Sequence, residues 1–155
     1  MKNLVFDMDG TIVDLFHVDS WCEKLNSGDF TPYTEAAAIY DEKKLNTVLN
    51  KLKSNGYRII VVSWNIKGYP QKEAQKDIRK RKIKWLLKKD FPIDELHIVK
   101  YGTNKFDVIR KKHGKELCIL IDDNKNVRMQ WEKSGNASIN AKQDIIPQLE
   151  KLLIA

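Results

Sequence analysis

Residues Tyr57-Arg58-Ile59-Ile60-Val61-Val62-Ser63 form a β-branched, apolar run with no polar alternation at its centre. A strand with one wet face alternates apolar and polar residues. An unbroken run suits a strand buried on both faces, as in a parallel sheet covered by helices on each side. The preceding segment fits that setting. Between Asp41 and Asn55, residues Leu45, Val48, Leu49 and Leu52 recur at the i, i+3, i+4, i+7 spacing of one helix face, and Gly56 stands where a helix C-cap is expected.

The alternation continues along the chain. Asn3-Leu4-Val5-Phe6 supplies a first strand. After the 57–63 strand comes a basic helix ended by Phe91-Pro92, then a strand over 95–99, a helix over 104–113 and a strand over 117–121. A short helix around Val127 and Trp131 follows, Gly135 breaks the chain, and a weak strand lies near 137–139. A terminal helix carries Ile146, Leu149, Leu152 and Leu153, with Pro147 in its first turn. Strands alternating with helices predict an α/β fold, a doubly wound parallel sheet with right-handed crossovers. The stretch from Asp14 to Tyr40 lacks a strand pattern. It predicts a small, partly helical insertion after the first strand, at about 14–40, over the carboxyl ends of the strands. A length of 155 residues, 42% of them hydrophobic, suits one domain spanning 1–155 with a core of its own.

No apolar run approaches the roughly 18 residues that span a bilayer, and the N-terminus leads straight into a strand pattern. Both point to a cytoplasmic protein without membrane attachment. Cys118, inside an apolar run, reads as a buried structural thiol, and Cys22 lies in a more polar region. The net charge of +7 points to anionic partners. It is concentrated between Gln71 and Lys89, where nine Lys/Arg face only Glu73 and Asp77. A solvated helix face is the default reading of that segment, and a phosphate-backbone or nucleotide-facing surface is the alternative.

The chemistry-bearing residues gather at strand ends. Asp7-Met8-Asp9-Gly10-Thr11 places two carboxylates two residues apart beyond the first strand, on one side of it, with Met8 turned into the fold. Gly10 lets the chain turn just after them. The second strand ends in Ser63-Trp64-Asn65, the third leads through Tyr101-Gly102-Thr103-Asn104 to Lys105, and the fourth ends in Asp122-Asp123-Asn124. Open parallel sheets bind ligands outside these ends. Several carboxylates in one crevice repel each other unless a divalent cation joins them, and oxygen ligands of this kind suit Mg²⁺. Trp64 could stack on a base or simply pack, and His17 could reach a substrate from the insertion or stay at the surface. His97 and His113 have no partner at metal-ligand spacing and read as structural or solvated.

In this order the motifs resemble those of the haloacid dehalogenase-like (HAD) phosphohydrolases, small bacterial and phage members in particular, and the likeness spans most of the chain. Asp7-Met8-Asp9-Gly10-Thr11 is similar to the family's first motif, Ser63 to the second, Lys105 to the third and Asp122-Asp123 to the fourth. The resemblance implies a Rossmann-like core and a Mg²⁺-dependent phosphatase working through an aspartyl phosphate. Asp7 would be the nucleophile and Asp9 the general acid/base. Ser63, Lys105, Thr11, Trp64 and Asn65 would surround the substrate phosphate, with Lys100 as an alternative to Lys105. Asp7, Asp9 (through its backbone carbonyl), Asp122 and Asp123 would serve the metal. The implied partner is a phosphorylated substrate, with the basic helix leaning towards a nucleotide or a nucleic-acid end; the oligomeric state stays open. The competing class is a non-catalytic nucleic-acid-binding or phospho-signalling module on the same scaffold. Receiver domains, however, carry their acidic pair and phosphoacceptor in the opposite order.

Overall fold

The computed structural model of the protein describes residues 1–68 and 71–155. Its strands are β1 (Lys2–Phe6), β2 (Tyr57–Trp64), β3 (Glu95–Val99), β4 (Leu117–Asp122) and β5 (Ser138–Asn140). They form one all-parallel sheet in the order β3-β2-β1-β4-β5. The helices are α1 (Trp21–Asn26), α2 (Pro32–Glu35), α3 (Glu42–Ser54), α4 (Lys72–Lys88), α5 (Lys105–His113), α6 (Lys125–Glu132) and α7 (Ile145–Lys151). The expected doubly wound α/β fold is present, with the expected elements shifted by no more than a few residues at their ends. The terminal helix stops at Lys151, so Leu152 and Leu153 pack beyond it as partly buried residues.

Strand pleating divides the core in two. Leu4, Phe6, Ile59, Val61, Ile119 and Ile121 face one side, where the apolar stripes of α3, α4 and α7 cover them. Val5, Ile60, Val62, Cys118 and Leu120 face the other, against Ile109 of α5 and Val127 and Trp131 of α6. The apolar run of β2 is therefore buried on both faces because each face meets helices. Cys118 sits in this core as a free thiol, and Cys22 is exposed. Polar caps set where the helices start. Asp41 accepts from the Lys44 amide, Asn104 from the Phe106 amide, Asn124 from the Asn126 and Val127 amides, and Asp144 from the Ile146 amide.

Register brings the three central strand ends level. Phe6 lies opposite Val61 of β2 and Ile121 of β4. Asp7, Ser63 and Asp122 consequently emerge on one rim, and β1 and β4 flank the point where the strand order reverses. Between β1 and α3, a single 3₁₀ turn at Leu15–His17 precedes α1 and α2. This segment is anchored to α4: Trp85 donates its indole N–H to the Ala36 carbonyl at 2.7 Å. No helix among the described residues is long and apolar enough to cross a membrane.

Candidate active site

The Asp7 amide donates to the Ile121 carbonyl at 2.9 Å, which fixes the chain where β1 ends. Beyond it the backbone turns tightly, with the amides of Ile12 and Val13 both 3.0 Å from the Met8 carbonyl. Gly10 has φ +83°, and a Cβ there would lie 2.6 Å from Asp123 Oδ2 and 2.7 Å from Phe16 Cε2. Only glycine combines that dihedral with that clearance. The turn delivers Thr11 back under Asp7: its hydroxyl lies 3.1 Å from Asp7 Oδ2 and 3.2 Å from Asp123 Oδ1, and it accepts from the Asp123 amide at 3.2 Å.

Lys105 opens α5 directly after the Asn104 cap and is buried. Its ammonium donates to Asp7 Oδ1 at 2.7 Å and to Asp122 Oδ2 at 2.9 Å. Burial disfavours its charge, but Asp7 and Asp122 outweigh that and raise its pKa. The alternative Lys100 is exposed and does not border the cavity.

Asp7, Asp122 and Asp123 each present an oxygen within 4.8 Å of the others. Burial, followed by the charge of Asp7, pushes Asp122 up to about 7 and raises Asp123 as well. Asp9 is raised too, first by burial, although the nearby Lys82 opposes the shift. With all four carboxylates ionised and Lys82 and Lys105 charged, the site carries two excess negative charges. One divalent cation would balance them. Clustered hard oxygen donors are the set Mg²⁺ takes, so these residues fit that ion. The Asp9 side chain stands apart from the cluster of three, because its Oδ2 accepts from Lys82 at 3.1 Å. Its Oδ1 is buried and has no hydrogen-bond partner among the described residues.

Lys82 is the residue that sequence reasoning missed. The default for the 71–89 segment is a solvated basic face, with a phosphate- or nucleotide-facing surface as the alternative, yet Lys82 is 0% exposed and donates to Ser63 Oγ at 2.6 Å. A signal was available in its spacing. Ile78, Lys82, Trp85 and Leu86 fall on one helix face, and all four are buried. The correction is local, since most of the other basic residues of α4 remain exposed.

A cavity of about 410 Å³ opens over this rim. Strand-end residues Asp7, Asp9, Ser63, Lys105, Asp122 and Asp123 line its floor, and Phe16, Trp21, Cys22 and Tyr33 come from the segment between β1 and α3. Trp64 and Asn65 also line it. The Trp64 ring sits 5.4 Å from the Lys105 ammonium and 5.1 Å from the Tyr101 ring, and its indole N–H donates to the Thr103 carbonyl. The Asn65 side chain accepts from the Ile66 amide. No residue of 72–89 borders the cavity among those described. His17 is exposed beside Asp14 and also lies outside it. His97 and His113 both bond Glu95, away from the cavity.

The fold and the rim define a doubly wound α/β protein with an acidic, lysine-bridged site at its topological switch point. Solved structures share that fold. A D,D-heptose 1,7-bisphosphate phosphatase from B. bronchiseptica, complexed with magnesium and phosphate, matches with a TM-score of 0.66 at 12% identity, over 99% of each chain. The enzyme of the same name from Burkholderia thailandensis matches with a TM-score of 0.55 at 14% identity, over 88% of this chain and 75% of that one. No protein-family model and no curated protein sequence matches the chain.

Proposed function

We propose that this protein is a Mg²⁺-dependent phosphomonoesterase that works through an aspartyl phosphate on Asp7. The observation that carries this reading is the setting of Asp7. Its carboxylate lies at the switch point, 2.7 Å from the buried Lys105 ammonium, beside two further carboxylates and below an open cavity. The structural neighbours are phosphatases, one of them with magnesium and phosphate bound, which agrees with the assignment.

Asp7 attacks phosphorus in line with the ester oxygen, and the bond from phosphorus to that oxygen breaks. Asp9 delivers a proton to the departing oxygen. Burial raises its pKa, which suits an acid. Water then attacks the aspartyl phosphate, Asp9 takes the water's proton, and inorganic phosphate leaves Asp7 regenerated. Ser63 and Lys105 stabilise charge on the transferring group. Mg²⁺ bound by Asp7, Asp122 and Asp123 would offset repulsion between Asp7 and the anionic phosphate.

The substrate reading is a nucleoside monophosphate. Phe16, Trp21, Trp64 and Tyr101 put aromatic rings around the cavity, and such rings stack on a planar base. A nucleic-acid end draws less support, because the basic segment 72–89 does not border the cavity. The neighbours named for a heptose bisphosphate make sugar phosphates the competing class. The test is phosphate release from an aryl phosphate by wild type and Asp7→Asn, each with Mg²⁺ and with chelator. Activity confined to wild type with Mg²⁺ is expected, and equal rates in the variant would overturn the reading. Preference for sugar phosphates over mononucleotides in a substrate panel would overturn the substrate assignment alone.

A further inference from the structure

Lys82 poses a question that packing does not answer. It projects from α4 between Ile78 and Trp85, where an apolar side chain would fill the same space without losing hydration. A buried charge pair is a poor source of stability, since desolvation offsets most of its attraction. The three N–H bonds of the ammonium have three partners: Ser63 Oγ at 2.6 Å, Asp9 Oδ2 at 3.1 Å and the face of the Tyr33 ring, 4.7 Å to its centroid. No donor is left over for a substrate.

The direction of these bonds matters. An ammonium only donates, so the Ser63 oxygen must accept from it, and the single O–H of Ser63 must go elsewhere. Lys82 is the one hydrogen-bond partner of that hydroxyl among the described residues, and Ser63 borders the cavity. The O–H is thus held ready for an acceptor entering the cavity. At Asp9 the same ammonium donates to Oδ2 and so holds the carboxyl in place.

We propose that Lys82 is a positioning residue. It turns the Ser63 hydroxyl into a dedicated donor to the phosphoryl group and holds the Asp9 carboxyl in one orientation, an inference that rests on the phosphatase reading above. Neither effect requires Lys82 to touch substrate.

The test compares wild type, Lys82→Met, Ser63→Ala and the double variant on an aryl phosphate with Mg²⁺, alongside thermal melts. Lys82→Met keeps the length of the side chain and removes its donors. Because it leaves the Asp9 carboxylate without its cation, it is expected to melt earlier than wild type; assayed well below its own midpoint, it should lose about 10²-fold in kcat with KM nearly unchanged, as when a donor aimed at developing charge is lost. In the Ser63→Ala background the same change should cost markedly less, because the two residues act in series. A folded Lys82→Met with wild-type kcat overturns the proposal, as do losses that multiply in the double variant. If Lys82→Met does not fold, Lys82→Arg, which keeps the cation but alters its donor geometry, goes through the same cycle with the same criteria. An inactive wild type would count against the phosphatase reading instead, so the two failures are distinguishable.

Discussion

Replacing Lys105 by Met should destabilise the metal-free protein in a manner that pH and Mg²⁺ both reverse. The ammonium lies 2.7 Å from Asp7 and 2.9 Å from Asp122, and both Lys105 and Asp122 are almost completely buried. Removing one partner of such a group leaves buried carboxylates uncompensated, at a cost of about 3–5 kcal/mol. For a chain of this size, each kcal/mol moves the midpoint by about 2–4 °C, so Tm should fall by about 6–20 °C near pH 8. The loss should shrink on acidification. In wild type, burial and Asp7 already hold Asp122 at about 7, against 3.8 ordinarily. A folded pKa above the unfolded one means that the stabilising proton uptake is complete below the unfolded value and is lost as pH rises through the folded one. Without Lys105 the Asp122 pKa rises further, so by about pH 5 Asp122 carries a proton in both proteins and the buried charge that Lys105 compensated there is gone. Mg²⁺ at about 100 times its Kd stabilises either protein by about 2.7 kcal/mol. The deficit narrows because removing the Lys105 cation from beside Asp7 and Asp122 tightens the variant's Kd, so that at one Mg²⁺ concentration the variant gains more. Thermal melts of both proteins at the two pH values, with Mg²⁺ and with chelator, give the answer. A variant as stable as wild type near pH 8 in chelator would refute the reasoning, and so would a deficit that neither acid nor Mg²⁺ reduces.

Gly10→Ala should cost about 1–3 kcal/mol from the left-handed backbone alone, and more from the clash with Asp123 and Phe16. Melting should show the stability loss, and the phosphate-release rate should fall with it because Asp123 must move. On the far side of the sheet, Glu95 faces burial that would raise its pKa, but hydrogen bonds from His113, His97 and Lys112 prevail and lower it from 4.5 to about 2. A depressed folded pKa supports stability above the unfolded value and withdraws it as pH falls, so Glu95→Gln should flatten the acid limb of a stability profile between about pH 4.5 and 2. An unchanged acid limb in urea titrations would count against that network.

The fold was legible because it depends on pattern. Double-sided burial shows in the unbroken run of β2, and the polar residues at four strand ends mark the rim that β1 and β4 enclose. What the sequence showed less clearly depends on which neighbour a side chain meets. Lys100 and Lys105 look alike in the chain, and only the Asn104 cap, which starts α5 at Lys105, directs one of them between Asp7 and Asp122. Charge density misled in the opposite way at Lys82. Eight other basic residues between Gln71 and Lys89 made a solvated face the economical reading, so position along the segment outweighed position around the helix. Helix geometry reverses that weighting. A lysine four residues after Ile78 and three before Trp85 shares their face whatever its neighbours carry. Once that face meets β2, the ammonium needs acceptors, and Ser63 and Asp9 are the polar groups within its reach. The residue that composition assigned to water thereby becomes the link between the Ser63 hydroxyl and the Asp9 carboxylate.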